Sequence, residues 1–101
     1  MTAADHTATV AELLAGLGDT PDAVADTLRA RGIKGVREHC CACPIAELLK
    51  RNGIPNPHVE CARVWPDPDS MWKVSTRMPA AVQVFIDRFD EGVYLDLGVE
   101  P

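Results

Sequence analysis

Residues 79–93 read PAAVQVFIDRFDEGV. Pro79 suits the first position of a helix, because its ring fixes φ near the helical value and its missing N–H has no intrahelical partner there. Gly92 suits the residue just past a helix, where φ turns positive. Between them Val82, Phe85, Ile86 and Phe89 recur at the spacing of one apolar helix face. The stretch predicts a helix over 79–91.

The same punctuation occurs twice upstream. Thr20-Pro21 opens a segment closed by Gly32-Ile33, and Cys43-Pro44 opens one closed by Gly53-Ile54. Helices over 21–31 and 44–52 follow, with Val24 and Leu28 on the first and Ile45, Leu48 and Leu49 on the second. The apolar residue after each glycine is expected to fold back on the last helical turn. Val10, Leu13, Leu14 and Leu17 predict an earlier helix over 9–17, with Thr9 and Glu12 as its capping box. Residues 1–8 read as a flexible tail and 9–101 as one domain. Gly16 and Gly18 set this first helix apart, so it need not pack on the main core. That makes it the candidate surface for another protein or for a second copy of the chain.

Between the second and third proline–glycine segments the texture changes. Residues 58–65 read HVECARVW and residues 71–76 read MWKVST, two runs of strand character. Val59, Cys61 and Trp65 share one parity of the first run, and Trp72 and Val74 share one of the second. Pro66 to Ser70 supplies turn residues, so the two runs predict an antiparallel β-hairpin. A lone hairpin is marginal in water and must pack on helices. Val93 to Leu97 is left as either a third strand or an extended segment across the core.

Length and charge bound the rest. The chain has 101 residues, 47% of them apolar and 25% charged, which fits one globular domain. Fifteen acidic against ten basic residues give a net charge of -5, which argues against nucleic acid or an anionic membrane as the main partner. No stretch approaches the length of a membrane span, and the opening MTAADHTATV has no secretory pattern. The expected setting is cytoplasmic, where thiols stay reduced.

The chemistry concentrates in His39-Cys40-Cys41-Ala42-Cys43-Pro44 and in His58-Val59-Glu60-Cys61. Cys40 and Cys43 are spaced C-x2-C, and His58 and Cys61 are spaced H-x2-C. Together they match a Cys3His tetrahedral set of the kind zinc favours. Residues three apart on a regular strand face opposite sides, so His58 and Cys61 can share one ion only where the chain turns. Against the metal stands the plainer reading of reduced, buried structural cysteines, with no cofactor, and this reading leads. An iron–sulfur cluster ranks below both, because Cys40 and Cys41 are adjacent. Cys43 occupies a helix start, where backbone N–H groups would lower its pKa. A thiol nucleophile or redox sensor at Cys43, with His39 or His58 as base and Glu60 orienting it, is a further alternative.

Other features favour structural readings. Trp65 and Trp72 suit a cover over the helices. Asp67, Asp69 and Ser70 lack the glycine and closing glutamate of a calcium loop. Arg29, Arg31, Lys34 and Arg37 complement a helix C-terminus, and Asp87, Asp90, Glu91, Asp96 and Glu100 read as a solvated face.

From about Leu28 to Leu97 the chain resembles a group of small uncharacterised proteins of actinobacteria and their phages. Two motifs carry the resemblance: Cys43-Pro44-Ile45-Ala46-x-Leu48-Leu49, and Pro79-x-x-Val82-x-x-Phe85-Ile86-x-x-Phe89-Asp90-x-Gly92 with the trailing Tyr94-x-Asp96-Leu97. The resemblance implies a compact helix–hairpin–helix domain in a cytoplasmic setting and brings no catalytic residues. Cys40, Cys41 and the His58–Cys61 pair stand outside the group's pattern.

The expectation is a small α+β domain of about four helices, with a two-stranded antiparallel hairpin between the last two. Its core is Leu28, Ile33, Ile45, Leu48, Leu49, Val64, Val74, Val82, Phe85, Ile86 and Phe89. The absence of a phosphate loop, paired carboxylates or a triad makes a non-catalytic interaction module the leading function. A zinc-stabilised module on Cys40, Cys43, His58 and Cys61 is the alternative.

Overall fold

Helix punctuation sets the architecture. A computed structural model describes residues 3–60, 62–66 and 75–99. In it α1 spans Ala3–Ala15, α2 Pro21–Ala30, α3 Pro44–Arg51 and α4 Ala80–Asp90. The strands β1 (His58–Glu60), β2 (Arg63–Trp65) and β3 (Thr76–Arg77) lie between α3 and α4 and form one antiparallel sheet in the order β1-β2-β3. The fold is α+β, as the sequence predicts.

The three glycine stops are one device used three times. The N–H of Gly32 donates to the Arg29 carbonyl, and that of Ile33 to the Leu28 carbonyl. Gly53 and Ile54 repeat the pair on Lys50 and Leu49, and Gly92 and Val93 repeat it on Phe89 and Arg88. This double bond satisfies carbonyls that a helix end leaves open, and it requires a left-handed residue. Gly32 has φ 67° and Gly53 has φ 92°. Ile33 and Ile54 then bury against the last turn, as expected. Val93 does not: it is 56% exposed, so the third stop stands on its hydrogen bonds alone.

The starts differ from one another. Thr20 caps α2 with its hydroxyl, which accepts the Ala23 N–H at 3.1 Å. Cys43 occupies the same place on α3 and makes no side-chain cap bond. Pro79 is the residue before α4, one place earlier than expected, and its carbonyl accepts from Val82 and Gln83.

α1 corrects the sequence reading in three ways. It begins at Ala3, so residues 3–8 of the expected tail are helical and Thr9 is interior rather than a cap. Its apolar stripe faces the core, with Val10, Leu14 and Leu17 each at most 1% exposed and Leu13 half-buried against it. The helix is therefore core and not a spare docking surface. The Thr27 hydroxyl fastens its end to α2 by donating to the Leu17 carbonyl at 2.8 Å. The packing is close here, since a Cβ on Gly18 would overlap Ala23.

The sheet also departs from a simple hairpin. Residues 58–65 are two strands, because His58 pairs with Trp65, Val59 with Val64 and Glu60 with Arg63. The reversal puts Val59 and Val64 opposite each other, and both are buried. An unbroken strand with Val59 and Trp65 on one face would have turned Val64 outward, which burial of its apolar surface disfavours. The second predicted run contributes Thr76, paired with Val64. Trp72, Val74 and the turn residues Asp67, Asp69 and Ser70 lie outside the described residues.

The rest of the expected core is buried, except Ile86, which is half-buried and packs on the core's edge. The sequence reading omits the ring stack that closes it. Tyr94 stacks on Phe85 with centroids 5.1 Å apart, and its hydroxyl donates to Asp22 at 2.7 Å. Leu95–Leu97 is a short 3₁₀ turn that buries Leu97, so the segment adds no third strand. Two acidic residues of the supposed solvated face have partners. Asp96 takes two hydrogen bonds from Arg29, and Asp90 accepts the N–H of Glu38 at 2.9 Å.

Gly35 is where the segments meet. Its N–H donates to the Leu97 carbonyl at 2.9 Å, its carbonyl accepts from Val99 at 3.0 Å, and it forms a parallel bridge with Gly98. A Cβ at Gly35 would lie well under 3.0 Å from backbone atoms of Ala42, Cys43 and Pro44. No rotamer change relieves such a clash, so Gly35→Ala should cost about 1–3 kcal/mol or more in urea denaturation. Leu14→Ala should cost about 2–5 kcal/mol in the same assay, whereas a merely appended first helix would leave the midpoint unchanged.

Candidate metal centre

The turn ahead of α3 is built around His39. Its carbonyl accepts the N–H groups of Ala42 and Cys43, and its ring Nδ1 accepts the Cys41 N–H at 3.2 Å. Val36 closes the loop by donating to the Ala42 carbonyl at 2.7 Å. The same turn is fixed to the sheet, because the Val59 N–H donates to the Cys40 carbonyl at 2.8 Å. Cys40 and Cys41 are thereby held against β1 and His58.

Three potential ligand atoms converge there. Sγ of Cys40 and Sγ of Cys41 are 3.4 Å apart, and Cys41 Sγ is 3.7 Å from His58 Nδ1. One ligand atom from each of the three residues lies within 4.8 Å of the others, and all three residues are half-buried. A tetrahedral zinc with ordinary bond lengths separates two sulfurs by about 3.8 Å and a sulfur from a nitrogen by about 3.6 Å. The Cys40–Cys41 and Cys41–His58 separations are therefore close to two edges of such a tetrahedron.

The second nitrogen of His58 is occupied. Nε2 lies 2.7 Å from Glu60 Oε2. An ionised carboxylate only accepts, so in the neutral imidazole Nε2 carries the proton and Nδ1 presents its lone pair toward Cys41. The ring edge also meets Trp65, with centroids 5.8 Å apart at 69°. A carboxylate behind an imidazole is the usual arrangement that orients a metal-ligating histidine. The sequence suggested Glu60 as the group orienting a base for Cys43; the structure places its carboxylate on His58, whose other nitrogen lies beside Cys41.

The predicted ligand set is only partly assembled. Cys40 and His58 come together, but the third member among the described residues is Cys41, not Cys43. Cys61 lies outside the described residues. The C-x2-C spacing points to Cys43 only if the chain curls onto one ion before the helix begins. Instead Cys43 enters the core as the first residue of the α3 approach and is 4% exposed. The adjacency of Cys40 and Cys41, set aside as too tight for an iron–sulfur run, is the signal that could have found the pair.

Cys43 also loses its case as an activated thiol. Burial pushes its pKa up to about 11, outweighing the N–H groups of Ala46 and Ile45 at the helix start. The Cys40 thiol is raised as well, first by its hydrogen bond with Cys41 and then by burial. His39 spends its Nδ1 on the backbone, which removes it as a base for a neighbouring thiol.

A cavity of about 650 Å3 opens beside Cys40 and Glu60. Val59, Met78 and Ile86 contribute apolar surface, and Glu38, Asp87 and Asp90 contribute carboxylates. No family model matches the chain, and no curated protein or solved structure matches it either.

Folding favours the protonated form of Cys43, so this contribution to stability is complete below the ordinary thiol value near 9 and is lost as pH rises through about 11. Urea midpoints measured between pH 8 and pH 11 should fall more for the native chain than for Cys43→Ala. At pH 8, iodoacetamide should modify Cys43 only after unfolding; equal labelling of Cys43 and Cys41 in the folded protein would refute the burial argument.

Proposed function

We propose that the protein is a small zinc-stabilised, non-catalytic module in which Cys40, Cys41 and His58 Nδ1 hold the ion. The observation that carries this reading is the posture of His58. Its Nε2 is engaged by Glu60 at 2.7 Å while Nδ1 lies 3.7 Å from the Cys41 sulfur, itself in contact with that of Cys40. Two thiolates and an imidazole suit zinc better than magnesium or calcium, which prefer oxygen. Cys61, next in sequence to Glu60, is the candidate for a fourth ligand.

The ion's contribution would be structural. It would bind the turn before α3 to β1, two segments already joined by the Val59 to Cys40 hydrogen bond. A domain of this size gains much from one such link, because its hydrophobic core alone gives modest net stability. No helix among the described residues is long and apolar enough to cross a membrane. A cytoplasmic setting, with another protein or a second copy as partner, completes the proposal and is consistent with thiols kept reduced for metal.

Elemental analysis of the purified chain should find about one zinc per protein. Chelation should lower the melting temperature by on the order of 10 °C, the shift expected when a tightly bound ligand leaves a domain of this size. Cys41→Ser and His58→Ala should abolish zinc uptake, while Cys43→Ala should retain it. Uptake that survives Cys41→Ser but is lost with Cys43→Ala would restore the C-x2-C set. Absence of uptake in the unaltered chain would end the zinc reading.

A further inference from the structure

The adjacent thiols also support a covalent chemistry of their own. We infer that Cys40 and Cys41 form a reversible disulfide with each other when the protein meets hydrogen peroxide. The inference rests on the thiol pair and not on a bound metal. Their sulfurs are 3.4 Å apart, already in contact, and both residues are half-buried rather than sealed in the core. Among the described residues no sulfur contact is recorded for Cys43, which is buried at the start of α3.

The surroundings suit two successive steps. His58 Nδ1 lies 3.7 Å from Cys41 Sγ and can take its proton, with Glu60 holding the ring through Nε2. The Cys41 sulfur attacks one oxygen of the peroxide, breaks the O–O bond and becomes a sulfenic acid as the other oxygen leaves as water. The Cys40 sulfur then attacks the Cys41 sulfur, forms the S–S bond and expels the second oxygen as water. Two thiols and one peroxide give one disulfide and two waters. Position assigns Cys41 the first step, because it is the sulfur next to the imidazole, and Cys40 the resolving step.

The product is a switch and not a staple. Adjacent Cα atoms sit about 3.8 Å apart across a trans peptide. Ordinary disulfides span roughly 4.4–6.8 Å between Cα atoms, so a ring between neighbours is strained and readily reduced. Closing the ring also withdraws both sulfurs from any ion they share with His58. Oxidation and metal binding therefore exclude each other at one place on the surface.

The test treats the full reduced chain with hydrogen peroxide, once as purified and once after dialysis against chelator. After the peroxide is removed the chain is unfolded in denaturant, and the remaining thiols are alkylated and mapped by fragmentation mass spectrometry. The expected result in the dialysed sample is a monomer lighter by two hydrogens, with Cys43 and Cys61 alkylated, Cys40 and Cys41 protected, and full recovery with dithiothreitol. Cys40→Ser should stop at a sulfenic acid on Cys41, detectable with dimedone, and His58→Gln should slow the first step at least about tenfold. Where zinc is present, a chromogenic chelator should register its release in step with thiol loss. Failure of zinc binding leaves the mapped disulfide standing, so the two readings fail separately. A bond to Cys43 or Cys61, an intermolecular dimer, or reaction no faster than that of free cysteine would overturn the inference.

Discussion

The backbone crossing at Gly35 governs this structure. One residue without a side chain lets the strand-like segment after α2 lie directly on the peptide between Cys43 and Pro44, while its own N–H and C=O are taken by Leu97 and Val99. Both polar groups are satisfied and the residue is buried, as buried backbone must be. That contact fixes where α3 begins relative to the C-terminal segment. It also fixes the loop from Val36 to Ala42, whose closing hydrogen bond starts one residue later. The thiol pair sits on that loop, so its position against β1 depends on the crossing.

Much of the scaffold was legible because it is local. Proline before a helix and glycine after it act through φ and through hydrogen bonds five residues apart or fewer, and all three glycine stops have the expected geometry. Tertiary facts were less visible. Nothing in the spacing of Val10, Leu14 and Leu17 says whether their face meets the core or a partner. Nor does HVECARVW reveal that it reverses after Glu60, since pairing Val59 with Val64 is a decision of the whole core. Gly35 has no local signature in the sequence, because its use depends on Pro44 and Leu97.

The site shows the same division. His58, Glu60 and Cys40 were identified from residue type and spacing, and their interactions follow from ordinary acid–base chemistry. The choice between Cys41 and Cys43 was not legible, because helix-start electrostatics and burial pull a thiol in opposite directions. At Cys43 burial prevails. Its sulfur is therefore a small apolar filler, whereas Cys40 and Cys41 stay half-buried and nearer the surface.

The pairing of Gly35 with Gly98 has a consequence for synthesis on the ribosome. Helices α1 to α3 can form as they emerge, but the polar groups of Gly35 find their partners only after residues 97–99 leave the exit tunnel. Until then the nascent chain holds an open seam beside the cysteine loop, and its closure is a late, non-local event.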